Sequence, residues 1–272
     1  MSGHVSIPID ILNPGQFFAC CGLLELASRL WPSAVGCFEG SHFSLKADEA
    51  GTDLFAEFIG KLQSCELSQE DADESADDEG EDSPAPPLIL GSEFRLRLDW
   101  YANKELKTWA GRMDARVIFD AMRSSIDPAR VDCFNDLRVV YGVADAKSGK
   151  KPQKREPFYF DSRRGMAAKP VDVGFSPDPL ELKSAACPAV EALCLIGLQR
   201  FRPRPTAFRR VFDYFAWSVP LPVLLAAAGA CGSLPGVKAE GYRFESGFRT
   251  DQRKHKGFLA SRQLSQVSGD SA

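Results

Sequence analysis

Three segments of this chain interleave cations with aromatic rings. KSGKKPQKREPFYFDSRRGMAAK, residues 147 to 169, places Lys150, Lys151, Lys154, Arg155, Arg163 and Arg164 around Phe158, Tyr159 and Phe160, against Glu156 and Asp161. RPRPTAFRRVFDYFAW, residues 202 to 217, sets Arg209 and Arg210 beside Phe208, Phe212, Tyr214, Phe215 and Trp217. GYRFESGFRTDQRKHKGFLASR, residues 241 to 262, brings Arg249, Arg253, Lys254 and Lys256 among Tyr242, Phe244, Phe248 and Phe258. Between residues 201 and 264 there are eleven Lys or Arg and four Asp or Glu. Cations neutralise phosphates, and rings stack on exposed bases for ~1–3 kcal/mol each, so the pattern suits a nucleic-acid groove. For the middle tract the competing reading is a hairpin whose alternating aromatics face the core beneath a solvated basic loop. Recurrence in three separate segments favours an anionic partner over one chance tract.

Catalysis has less support. There is no P-loop, no G-x-G-x-x-G after the first predicted strand, no G-x-S-x-G and no H-E-x-x-H. Magnesium-holding carboxylates for a nuclease would have to come from scattered positions such as Asp99, Asp114 and Asp120, which sit as naturally on solvated faces. His255, flanked by Arg253, Lys254 and Lys256, is the histidine placed for acid–base work on a phosphodiester, as in a metal-free ribonuclease. A solvated or phosphate-contacting histidine is the commoner situation. The eight cysteines form no C-x-x-C pair, and with three histidines they make neither a zinc site nor a disulfide framework. Cys20 and Cys21 stand in an apolar run with no cation to lower a thiol pKa, which predicts a wall of the core. No metal, cofactor or catalytic residue is expected.

The elements that must position these residues follow from patterning. With 272 residues and 44% hydrophobic content the chain can build a real core. No apolar run reaches the length of a membrane span, and MSGHVSIPID has no secretory-signal character, so the expectation is a cytoplasmic protein without a membrane partner. Between Glu66 and Asp82 stand ten carboxylates and no Lys or Arg; removing them from a net charge of −4 leaves +6 for the rest. That acidic run predicts a disordered loop, either a solubilising insertion or a nucleic-acid mimic covering the basic face.

Residues 5 to 12 alternate as a first strand. Asn13 and Pro14 then open a helix that is apolar nearly all round and ends at Pro32. Residues 34 to 45 predict a hairpin turning at Glu39 and Gly40, and 52 to 64 a helix capped by Thr52. Residues 88 to 101 predict one strand with Arg95, Arg97 and Asp99 on its outer face. A helix is expected from Asn103 to about Ser125, with Lys104, Lys107, Arg112, Arg116 and Arg123 either as a solvated face or as phosphate contacts. Residues 188 to 201 and 219 to 232 predict two further buried helices.

Four stretches together carry a family likeness: NPGQFFACCGLLELASRLWP (13 to 32), LKTWAGR (106 to 112), PFYFDSRRG (157 to 165) and PAVEALCLIGLQRFRP (188 to 203). The chain resembles a compact large-subunit protein of the type I-G CRISPR system, formerly called I-U. The resemblance implies a component of Cascade, the complex that loads a CRISPR RNA and searches double-stranded DNA for its complement. Large subunits of this kind sit at the 5′ handle of the guide, probe the protospacer-adjacent motif and help recruit the helicase-nuclease without cutting. Its implied partners are therefore CRISPR RNA, target double-stranded DNA, the other Cascade subunits and the helicase-nuclease. No individual motif-reading residue carries over, and no C-terminal helical bundle is legible, which leaves the small-subunit role outside the resemblance. The alternatives are a metal-independent endoribonuclease that matures the CRISPR RNA around His255, and a scaffold whose basic surfaces meet acidic protein partners.

The expected architecture is α+β, a mixed, partly antiparallel sheet with buried apolar helices and a disordered acidic loop. Its parts are residues 1–65 (strand, helix, hairpin, helix), the insertion 66–87, a basic part 88–264 continuing the same core, and a disordered tail 265–272.

Overall fold

A computed structural model of the chain describes residues 3–70, 86–102, 105–109, 113–142, 153–165, 185–248 and 256–265, with Arg164 and Gly165 described in backbone alone. The α+β class holds. Among the described residues every strand pairing is antiparallel and divided over three sheets.

Strand β1 (Gly3–Pro8) buries Val5 and Ile7 at alternate positions and pairs with β3 (His42–Ala47), which pairs in turn with β2 (Val35–Glu39). β9 (Leu221–Pro222) closes this first sheet against β2, so residues far apart in sequence share one layer. β8 (Val211–Trp217) and β10 (Ala239–Phe248) form the long pair of the second sheet, with β7 (Arg204–Pro205), β11 (Lys256–Phe258) and β12 (Arg262–Gln263) at its margins. The third sheet runs β4 (Leu67–Gln69), β5 (Leu88–Leu90), β6 (Leu96–Leu98).

Helix α1 (Pro14–Leu30) begins as its sequence requires: the Asn13 carboxamide oxygen accepts from Gly15 N at 3.1 Å and Pro14 takes the first turn, where its missing N–H costs nothing. It is buried from Pro14 to Ala27, and α5 (Pro188–Arg200) from Pro188 to Leu198. These two helices cross backbone to backbone. A Cβ at Gly22 would lie 2.0 Å from Leu193 O, and one at Gly197 would lie 1.9 Å from Phe18 O, so glycine at both positions permits the approach. One continuous core runs from Val5 to Phe258 around this pair. Cys20 and Cys21 lie in it, fully enclosed, and burial pushes both thiols well above their ordinary range. They are wall.

Several boundaries differ from expectation. Helix α2 (Leu54–Ser64) is capped by Asp53, whose carboxylate reaches Ala56 N at 3.0 Å, one residue past Thr52. The single strand expected over 88 to 101 is two strands and a 3-10 turn (Trp100–Ala102), because Ser92 and Arg95 take positive φ and reverse the chain, pairing Leu88 with Leu98. The long helix expected from Asn103 shrinks to α3 (Ala115–Ser124), started by the carboxylate of Asp114 on Arg116 N at 2.9 Å. Ahead of it Trp109 packs edge-on to Trp100 and Tyr101. α6 (Val223–Ala230) is not the third buried helix: Ala226, Gly229 and Ala230 turn inward while Leu224 is 67% exposed. An octapeptide apolar on every side contains no contrast to say which face turns in.

The first residues of the expected acidic loop belong to the third sheet, where Glu70 pairs with Arg97 at 2.9 Å. Residues 71–85 of that segment and the tail from 266 lie outside the described residues.

Candidate nucleic-acid interface

The middle tract turns inward. Phe158 and Phe160 are fully buried and Tyr159 nearly so; Phe158 stands 4.8 Å from Trp109, and Phe160 stands 5.2 Å from Phe258, ring centre to ring centre. These rings fill the core and leave no face for a base, which corrects the stacking role expected of them. The chain is pinned here by two buried carboxyl groups. Asp161 accepts from Asn13 Nδ2 at 2.8 Å, and the same Asn13 accepts from Ser162 N at 3.1 Å while capping α1. Glu191, inside α5, accepts from Phe160 N at 3.2 Å and Asp161 N at 3.1 Å; burial pushes it up to about 8 against the pull of those amides.

Arg163 belongs to this structure. Its guanidinium meets Asp161 (Nε–Oδ1 2.9 Å, Nη2–Oδ2 2.7 Å), Asn135 Oδ1 at 3.1 Å and Phe134 O at 2.6 Å, so every nitrogen is engaged. Lys154 pairs with Glu156 at 2.7 Å, and Arg155 lies along Gly142 with Nε enclosed. Lys150 and Lys151 lie outside the described residues, as does the side chain of Arg164.

The second and third tracts separate rings from cations. Phe212, Tyr214, Trp217, Tyr242, Phe244 and Phe258 are core, Tyr214 stacking on Tyr242 across β8 and β10 at 5.4 Å. Arg204 and Arg243 are drawn to the buried carboxylate of Asp213, at 3.3 and 2.6 Å. Four cations from three segments form a group: Lys107, the pair Arg209 and Arg210 ahead of β8, and Lys256 at the start of β11.

Three observations define that group. Lys256 N donates to Thr108 O at 3.2 Å and its Nζ to Glu105 O at 3.3 Å, which holds residues 105–108 against β11. Arg210 sits at φ +61, its guanidinium 4.5 Å from the centre of the Phe248 ring, opposite Lys256 in the β10–β11 register. A non-glycine residue at positive φ costs on the order of 1 kcal/mol and persists where the surroundings hold it. Lys256 also titrates low: burial, then Arg210, Lys107 and Arg209 bring it down to about 8, with Glu105 opposing. Like charges held together in this way attract an anion that relieves them.

Phe208, 69% exposed and the most open aromatic side chain among the described residues, stands next to Arg209. The sequence joining Phe248 to Lys256 carries Arg249, Arg253, Lys254 and His255, which lie outside the described residues. Lys107 stands in the irregular segment ahead of α3 and not on the face of a helix, which corrects the element expected to carry it.

The carboxylates weighed for metal binding are occupied elsewhere. Asp99 accepts from Gln199 Nε2 at 3.0 Å and pairs with Arg97, Asp114 caps α3, and Asp120 pairs with Arg123 at 2.8 Å. Among the described residues no group of three or more His, Cys, Asp or Glu is arranged to hold a metal ion, and no helix is long and apolar enough to cross a membrane. No protein-family model, curated protein or solved structure matches the chain.

Proposed function

We propose that this protein is a non-catalytic nucleic-acid-binding subunit that meets phosphate backbones through Lys107, Arg209, Arg210 and Lys256, with Phe208 as a ring for an exposed base. The cluster of four cations from three segments is the observation that carries this reading. Its finer form rests on the family resemblance: a subunit of a type I-G CRISPR effector, contacting the guide RNA 5′ handle and target DNA beside the protospacer-adjacent motif, and helping to recruit the helicase-nuclease. Arg249, Arg253 and Lys254 extend the cationic sequence between Phe248 and Lys256. Arg163, held by Asp161, has no part in it.

Four phosphate contacts imply a salt slope of about −3.6 on duplex DNA, or roughly a hundredfold loss of affinity between 50 and 200 mM salt. The test is co-purification of the chain with the products of neighbouring genes, sequencing of any RNA that travels with it, and duplex titration at those two salt concentrations. Repeat-derived RNA and a steep salt dependence, reduced in an Arg209→Glu, Lys256→Glu variant, support the reading. A chain that purifies free of nucleic acid, and whose assembled complex binds DNA equally well with both reversals, overturns it.

A further inference from the structure

A second concentration of arginine lies away from the aromatic tracts. Where the C-terminal ends of α1 and α5 meet the turn between β5 and β6, a cavity of about 390 Å³ is lined by Glu25, Arg29, Arg95, Arg97 and Arg200, with Leu96 and Gln199 completing it. Glu25 is the floor. Its carboxylate is 1% exposed and accepts from Arg29 (Nε 2.8 Å, Nη2 2.7 Å) and from Arg200 Nε and Nη2, the latter at 3.2 Å. Arg29 is fixed further by donating Nη1 to Phe94 O at 2.7 Å and Arg95 O at 3.0 Å.

The charges do not balance. Glu25 offsets one of the two guanidiniums that hold it, and Arg95 has no carboxylate partner among the described residues; Arg97 is taken by Glu70 and Asp99. Arg29, Arg95 and Arg200 against Glu25 leave two positive charges, and Arg97 with its two carboxylates lowers the net excess around the cavity to one. Arg95 is presented there from a positive-φ backbone, φ +47, at a turn position where glycine or asparagine would be relaxed. Arg200 keeps Nη1 without an acceptor among the described residues, beside the edge it commits to Glu25. Guanidiniums pre-oriented by a buried carboxylate make a phosphate-recognising fork. No aromatic side chain lines the cavity, so nothing there stacks on a base.

We propose that this cavity binds a phosphate group, with Arg95 and Arg200 as its donors and Glu25 and Arg29 positioning them. The inference stands apart from the cluster around Lys256 and does not depend on it.

Inorganic phosphate is the first probe, titrated into the full chain by calorimetry, followed by matched short oligonucleotides ending in a 5′-phosphate or a 5′-hydroxyl. The expected result is saturable binding of one phosphate per chain, weakened about tenfold or more in Arg95→Glu at unchanged melting temperature, since Arg95 holds Arg29 through its backbone carbonyl and its own side chain bonds to no other among the described residues. Arg209→Glu with Lys256→Glu leaves phosphate binding intact even where it abolishes duplex binding, which separates the two proposals. A 5′-phosphate that tightens oligonucleotide binding in the wild type and not in Arg95→Glu identifies a nucleic-acid terminus as the source. Oligonucleotides indifferent to their 5′ end, with inorganic phosphate still bound, identify a free phosphate compound. Absence of saturable phosphate binding, or equal binding by Arg95→Glu, overturns the proposal.

Discussion

Residues 153–163 and residues 204–217 are written in the same residue types, and both bury most of their rings, with Phe208 left exposed in the second; their arginines part company. Arg163 finds Asp161, a carboxylate with no exposure of its own, and is drawn into a network reaching Asn13, Asn135 and Phe134. In the second stretch the buried carboxylate, Asp213, is claimed by Arg204 and Arg243, and the exposed Arg209 and half-buried Arg210 have no carboxylate partner among the described residues. The fate of a cation here depends on whether a desolvated anion lies within reach. A buried carboxylate left alone is costly, so it recruits the nearest guanidinium, and the unclaimed ones are left for an external anion.

The contrast should be largest in the rings. Phe160→Ala opens the core and is expected to cost ~3–5 kcal/mol in urea denaturation, whereas Phe208→Ala should stay within about 0.5 kcal/mol. Equal costs would break the distinction between the tracts. Next in size, Arg163→Ala strands Asp161 and should cost ~3–5 kcal/mol, against about 0.5 kcal/mol or less for Arg209→Ala.

Binding should show the reverse order. Phe208→Ala is expected to lose ~1–3 kcal/mol on single-stranded DNA, and Arg209→Ala to shallow the salt slope by about 1, measured by fluorescence anisotropy over a salt series. Arg163→Asn, read under conditions where it remains folded, should change neither.

The smallest effects lie in pH, and the two regions carry opposite signs. Glu191 is raised to about 8, so the native chain keeps a proton that the unfolded chain releases near the ordinary carboxylate range; stability is full below that range and declines as pH rises to about 8. Lys256 is lowered to about 8, so the unfolded chain holds a proton that the native chain gives up; stability rises from about pH 8 towards the ordinary lysine range. Glu191→Gln should flatten the falling limb and Lys256→Met the rising one in denaturation curves taken from pH 5 to 10. Duplex affinity should also weaken as pH passes 8, because bound phosphate favours charged Lys256; a flat profile there would remove Lys256 from the interface.

Part of this was legible from single positions. Asn13 before Pro14 and the all-round apolar run behind it specify a buried, capped helix. The glycine at position 40 marks its hairpin as well, because these signals act over a few residues. Glu25 and Glu191 stand in apolar helices, and neither spacing nor residue type names their partners as Arg29 and Arg200 or the amides of Phe160 and Asp161. The helix expected from Asn103 failed for a related reason: a cap at Asp114 and a cluster of rings around Trp109 outweighed a plausible helical stripe.

By itself, the sequence determined the α+β class, the two central helices, the burial of Cys20 and Cys21 and a cationic excess outside the acidic run, since each follows from local pattern or from composition. Only the tertiary structure decided which cations remain available. Arg163 and Arg209 are alike in sequence, and what separates them is the position of a buried carboxylate in space, set by which segments the core brings together.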